Sequence, residues 1–402
     1  VEQTRTEGGG EALSEKDIIE RVKTLINLRR YLNPSLIDFI EQIQSYEFIP
    51  EITRVADDMG LHASTVWKFM NLLRSKGFAF TIIIDIQRLG LEYVVMIFDD
   101  YLPYDKVFKS TLREYSPLLP WGTLITYLVP SNMSEAFINE LAPTIPKEPV
   151  KILRLTYAVP SKPSLSMYYD LRRRRVKLVW SELFNTIIAT PREVVPREVI
   201  RRGKFDEIDM FILKELELDP FTSLKKITEK LNRELKPSVP INYIRILRHY
   251  KNHIEARGIV RGVKLRLTPI IGTCSMPLIT VVKGNPADVH RVCRVLTTHP
   301  YFTSSYMNPE MGIGVISVCL PIREVFNYSL FLRSLEREKI IREWSVYILD
   351  KLLMKKFTLP YNIFSKSVID MVKEFKAGKE KPVITEVKEE FMIDLDSYLI
   401  EA

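Results

Sequence analysis

The chain has 402 residues, of which 46% are hydrophobic and 27% charged. That is the composition of a folded globular protein and too long for one ordinary core, so two to four domains are expected. No apolar run is long enough to cross a bilayer, and the opening VEQTRTEGGGEAL has neither a basic start with an apolar stretch behind it nor a cleavage-like site. A cytoplasmic protein with no membrane partner is therefore expected, nucleoid-associated if its partner is DNA. The formal charge of +8 and the pI near 9.1 favour a polyanionic partner. Cys274, Cys293 and Cys319 show no metal-ligand spacing and read as reduced thiols.

In chain order, residues 1–32 are a Gly-rich tail and a helix from Ala12 to Tyr31, stopped by Asn33-Pro34. Over 33–90 the spacing predicts three helices and a strand. Leu36, Ile37, Phe39, Ile40 and Ile43 line the first helix, Ile52, Val55, Ala56 and Met59 the second, and Val66, Phe69 or Met70, and Leu73 the third, Ser64 to Lys76. Phe78 to Ile86 is β-branched and aromatic, and three helices with a β ribbon describe a winged helix-turn-helix. Residues 91–160 then read as strand Val94 to Phe98, helix Tyr104 to Tyr115, strand Thr123 to Val129, helix Ser134 to Leu141 and strand Val150 to Tyr157. One hairpin strand is expected to be short or absent around Leu118 to Gly122, which makes this a trimmed ferredoxin-like sandwich.

Residues 161–204 form a basic linker with Arg172, Arg173, Arg174 and Arg175 in one block and Arg197, Arg201, Arg202 and Lys204 in another. The order of elements then recurs. Over 205–272 come helices Phe205 to Leu218, Leu224 to Leu235 and Pro240 to Arg257, then Ile259 to Leu267. Over 273–352 come the strand from Leu278, helix Pro286 to Leu296, a hairpin around Asn308 to Gly312, helix Ile322 to Ile340 and strand Trp344 to Leu349. This βαββαβ order closes as a full ferredoxin-like sandwich. Residues 353–402 are a C-terminal helix and an acidic tail ending EEFMIDLDSYLIEA. The expected fold class is therefore α+β, two winged helix-turn-helix domains each followed by an αβ-sandwich, from duplication of a two-domain unit.

The segment FDEIDMFILKEL (205–216) resembles the opening helix of the leucine-responsive regulatory protein (Lrp/AsnC) family. ASTVWKFMNLLRSKGFAF followed by IDIQRLGLEYVVMIFDD resembles that family's recognition helix, wing and lead into its ligand-sensing sandwich. The resemblance covers most of Pro34 to Tyr157 and Phe205 to Asp350. It implies a transcription regulator, and an amino-acid effector between the sandwiches. Family members carry one copy of each domain and dimerise, whereas this chain has both twice. The second recognition helix is about one turn longer and enters through Pro237-Ser238-Val239-Pro240. The chain also resembles the archaeal winged-helix replication initiator, which implies an origin-binding role instead.

A recognition helix reads base edges in the major groove with outward residues of its N-terminal half. In the first copy these are Ser64, Thr65, Trp67, Lys68 and Asn71, with Ser64 alternatively a helix cap and Trp67 alternatively core. In INYIRILRHYKNHIEARG, Ile244, Leu247 and Ile254 are expected inward, so Asn242, Arg245, Arg248, His249 and Asn252 face out. Arg261, Lys264 and Arg266 in the following strand suit the sugar-phosphate backbone. The Arg172 to Arg175 block suits it too, unless it is a helix paired with acids of the sandwiches. His249 and His253 have the spacing of a helical metal pair, but no acid stands beside them in the sequence, so no metal site is expected. Gly312-Ile313-Gly314 lacks the rest of a dinucleotide fingerprint, and no phosphate loop or nucleophile motif is present. The expectation is a DNA-binding protein without cofactor or enzymatic activity, acting as a monomeric pseudo-dimer or homodimer with the transcription or replication machinery. A protein-interaction module with secondary DNA contact is the third alternative.

Overall fold

The structure is a computed structural model and describes residues 32–76, 78–193, 195, 205–267 and 275–387. The expected helix at 12–31, the cluster Arg197, Arg201, Arg202 and Lys204, Cys274, and the tail beyond 387 lie outside those residues.

The first unit is three helices, α1 (Pro34–Ser45), α2 (Ile52–Asp58) and α3 (Ala63–Ser75), followed by strand β1 (Ala79–Ile84). Asn33 starts α1: its side chain accepts the Leu36 amide at 2.9 Å, and Pro34 occupies the first turn, where no amide is needed. Leu36, Ile37, Phe39, Ile40 and Ile43 are buried, as their spacing requires, with Val55, Ala56, Val66, Met70 and Leu73 against them.

Four antiparallel strands follow, β2 (Leu91–Phe98), β3 (Leu112–Leu119), β4 (Thr123–Pro130) and β5 (Lys151–Leu155), with helix α4 (Ser134–Leu141) before β5. Their order, β5-β2-β4-β3, is that of a ferredoxin-type sheet. The element that is missing is a helix: Tyr104 to Tyr115 holds only a 3-10 turn at Tyr104–Lys106 before β3 begins, and the hairpin strand expected to be short is complete. β5 continues through Thr156 into β6 (Tyr157–Val159). The stretch expected to be linker folds into α5 (Leu165–Tyr168), a small hairpin of β7 (Tyr169–Asp170) and β8 (Arg175–Val176), and α6 (Trp180–Ala189).

The second unit has α7 (Glu207–Leu218), α8 (Leu224–Leu235) and α9 (Tyr243–His249), which runs on as a π-helical turn, Tyr250–Glu255, before β9 (Val260–Arg266). The sequence pattern predicts a separate β ribbon for each unit. Instead each supplies one strand, and β1 and β9 pair with each other antiparallel from Ala79↔Arg266 to Ile84↔Val260. The exchange is anchored on both sides: the Leu265 amide donates to Gln44 Oε1 of α1 at 3.0 Å, and Thr81 Oγ1 donates to the Glu217 carbonyl of α7 at 2.8 Å. A bulge at Gly262 keeps the fit. Its φ is +126°, and a Cβ there would stand 2.4 Å from the Tyr46 carbonyl oxygen.

The second sandwich is complete, with β10 (Ser275–Lys283), α10 (Pro286–Leu296), β11 (Phe302–Asn308), β12 (Ile313–Pro321), α11 (Val325–Arg337) and β13 (Glu343–Leu349). A short β14 (Lys355–Lys356) pairs with β3, and helix α12 (Val368–Lys376) follows. The sandwiches join edge to edge in one sheet of order β5-β2-β4-β3-β13-β10-β12-β11-β6. Its two ends, β5 and β6, are successive segments of the chain, so the sheet closes on itself, and the Tyr93 and Tyr306 rings meet 4.5 Å apart at the seam. Strand alternation then serves two cores. In β2, Tyr93, Val95 and Ile97 face the interior, while Val94, Met96 and Phe98 face a second core roofed by α4 and α12. Met371, Val372 and Phe375 of α12 thus cover the face that the absent first helix leaves bare.

Candidate nucleic-acid interface and an Asp-His-His cluster

On α3 the outward residues stand where their spacing puts them: Ser64, Lys68 and Asn71 are exposed and Thr65 is half-buried. Trp67 is 44% exposed, so it belongs to the surface and not to the core. Ser64 is not the cap; the capping position falls on His62, which makes no side-chain cap bond. Arg74 pairs with Asp219, just past α7, at 2.9 Å, tying the end of α3 to the second unit.

The register of α9 differs from the expectation. Ile244 is 58% exposed, and the buried residues are Ile246 and Ile254. Together with half-buried Tyr250 they form a stripe recurring every four residues, the spacing that a widened helix turns into a straight face. Asn242 is the N-cap, its side-chain oxygen accepting the Arg245 amide at 2.9 Å, so that oxygen is engaged locally and not held for a base. Arg245, Arg248 and Asn252 are exposed.

His249 does not face outward either. It and His253 both aim Nδ1 at the wholly buried carboxylate of Asp209, on the first turn of α7: His249 Nδ1 to Oδ1 2.9 Å, His253 Nδ1 to Oδ2 2.9 Å and to Oδ1 3.0 Å. The acid that the sequence did not place beside the histidines comes from another helix. Asp206 and Asp209 form the capping box of α7, and the Asp206 amide donates to Asp209 Oδ2 at 3.0 Å. Burial pushes the Asp209 carboxyl up, but hydrogen bonds from His249 and His253 outweigh it and hold it below the ordinary carboxylate value. The bond to Asp209 in turn raises His249 against the opposing effect of burial. Such a group of donor atoms, none more than 4.8 Å from another, has the types that can hold a metal ion.

The strand cations assigned to the DNA backbone have work inside the protein. Arg261 Nη2 pairs with Asp85 at 2.8 Å, Lys264 Nζ donates to the Thr303 carbonyl at 2.8 Å, and Arg266 Nη2 donates to the Glu217 carbonyl at 3.0 Å. The Arg172 to Arg175 block is the tip of the β7-β8 hairpin and not a helix. Asp170 Oδ1 accepts the amides of Arg172 and Arg173, each at 3.0 Å, and shapes the turn. All four arginines are exposed, and among the described residues none forms an ion pair. Gly312 and Gly314 serve packing: a Cβ on Gly314 would stand 2.9 Å from Cys293 Sγ, and one on Gly312 2.1 Å from the Gly284 carbonyl oxygen. A cleft of about 380 Å³ opens elsewhere, between Arg88, Asn132, Met133, Phe364 and Lys366.

No protein-family model and no curated protein matches the chain. Among solved structures, the crystal structure of siroheme decarboxylase NirDL is similar over 85% of this chain and 99% of its own, at 14% identity and a TM-score of 0.43. The same enzyme in co-complex with an iron-uroporphyrin III analogue is similar over 86% and 100%, at 15% identity and a TM-score of 0.45. This finding corrects the exclusion of an enzyme. That exclusion rests on missing local motifs, and the solved neighbours include a catalyst. At these values the likeness assigns no activity or ligand to this chain. The described residues are α+β with ferredoxin-type sheets, and no described helix is long and apolar enough to cross a membrane.

Proposed function

We propose that the chain binds duplex DNA as an Lrp/AsnC-like regulator of transcription, its two three-helix units working as an intramolecular pseudo-dimer of helix-turn-helix readers. One observation carries the reading. The third helix of each unit turns a polar, largely basic face to solvent, Lys68 and Asn71 in one and Arg245, Arg248 and Asn252 in the other, while the shared β1-β9 ribbon holds the units together. Arg and Asn are the side chains that make paired contacts with guanine and adenine edges. The unpaired arginine tip at 172–175 suits the phosphate backbone.

The test is anisotropy titration of labelled duplexes, first selected from a random pool. The pair Arg245→Ala and Arg248→Ala is expected to weaken the selected site by about 1–3 kcal/mol for each base edge no longer read, and to relax its sequence. Neutralising Arg172 to Arg175 is expected to weaken all duplexes alike and to flatten the log–log salt slope by roughly 0.9 for each phosphate no longer neutralised. Equal affinity of all these variants for every duplex would remove the proposal. Occupancy at many promoters, as against a single origin, distinguishes a regulator from an initiator.

A further inference from the structure

We propose that Asp209, His249 and His253 form a divalent transition-metal site, with Zn²⁺ the ion its donors suit best. The three residues come from two helices of the second unit, α7 and the α9–π segment, and present two imidazole nitrogens and a carboxylate to one point. Two imidazoles and one carboxylate are a zinc donor set. Tetrahedral bonds of about 2.0–2.1 Å hold neighbouring donors roughly 3.3 Å apart. The present nitrogen-to-oxygen separations are 2.9–3.0 Å, a few tenths of an ångström short of that, and no two of the three donors stand more than 4.8 Å apart.

Three further features set the cluster apart from a satisfied core histidine. The π-helical turn begins directly after His249, with a bond from the Ala256 amide to the Lys251 carbonyl at 2.9 Å. Such a turn is rarely adopted and recurs at functional sites. The carboxylate is oriented from behind by the Asp206 amide, the supporting bond that ligating carboxylates commonly have. The cluster is also reachable, since the His253 side chain is 29% exposed and that of Asp206 50%. Asp206 Oδ1 stands 3.6 Å from His249 Nδ1 but caps α7, accepting the Ile208 and Asp209 amides at 3.0 and 3.1 Å, so the fourth donor of a loaded site is left to solvent. An ion here pins α9 to α7, and with it the face that carries Arg245, Arg248 and Asn252. The site does not depend on whether that face meets DNA.

The experiment uses the full-length untagged chain, stripped with a strong chelator, dialysed and titrated with Co²⁺ and then Zn²⁺. One Co²⁺ per chain is expected, with the intense visible bands of a tetrahedral centre, discharged by Zn²⁺. Zn²⁺ is expected to raise the melting temperature. His253→Gln and His249→Gln are expected to lose about 100-fold in affinity, whereas His290→Gln on α10 keeps it. X-ray absorption of the Zn²⁺-loaded wild type, which needs no variant to fold, is expected to report two imidazoles with oxygen donors. No saturable binding by the wild type, binding unchanged in both histidine variants, or a zinc shell without two imidazoles would each overturn the proposal.

Discussion

His299 is a fully buried histidine held in one protonation state by its neighbours. Nε2 donates to the Lys177 carbonyl at 2.8 Å and Nδ1 accepts the Tyr301 amide at 3.2 Å, a pattern that only the neutral Nε2–H ring satisfies. Burial pulls its pKa down to about 4 from 6.5, so the unfolded chain binds the proton more tightly. The linked stability is complete above the unfolded value, is lost as pH falls from about 6.5 to 4, and changes no further below that, about 3 kcal/mol at most. Urea midpoints measured across that range are expected to fall in the wild type and to fall less steeply in His299→Gln. The same scale shows what a single residue can hide. Helical spacing leaves Trp67 open between surface and core, but Lys68 is readable as surface from spacing alone, because its neighbours Val66 and Met70 belong to the same helix. His249 is not, because the group it bonds, Asp209, lies 40 residues away.

At the scale of elements, the first sandwich borrows its missing helix from the end of the chain. Without α12, the apolar face of Phe98, Phe108 and Tyr127 would meet water. Glu380 beyond it would no longer accept the Lys109 and Ser110 amides, at 2.7 and 2.6 Å. A chain stopped at Lys366 is expected to bind a hydrophobic dye strongly and to melt without cooperativity. The gentler Met371→Ala is expected to cost about 2–4 kcal/mol in chemical denaturation. Apolar spacing predicts a helix over Tyr104 to Tyr115, but Val107, Phe108 and Leu112 are buried in extended and turning chain that α12 covers. The register of α9 departs from expectation for a related reason. A uniform period of 3.6 puts Ile244 inward, and the π-helical turn that brings both histidines to Asp209 changes which residues face the core.

Across the whole molecule, two unlike halves are interlocked at the β1-β9 ribbon, at the Arg74–Asp219 pair and along the closed sheet. If the two three-helix units read one duplex together as proposed, they are expected to occupy successive major grooves about 34 Å apart. Because their outward residues differ, nuclease footprinting is expected to show one long site with unequal halves. Arg245→Ala with Arg248→Ala should clear protection from one half before the other. A palindromic site, or protection of a single groove, would count against a pseudo-dimer.

What the residues determined by themselves is whatever depends on near neighbours: the helix start at Asn33, the apolar stripes of α1 and α3, the βαββαβ order of the second half, and the recurrence of the pattern. Backbone stiffness and periodic burial act over a few positions, so they can be read there. Which strand edges meet, which helix roofs the first sandwich and which acid stands between two histidines were decided only in three dimensions. A strand edge or a buried carboxylate accepts any partner of suitable shape and charge, and the partner is chosen by how the entire chain closes around it.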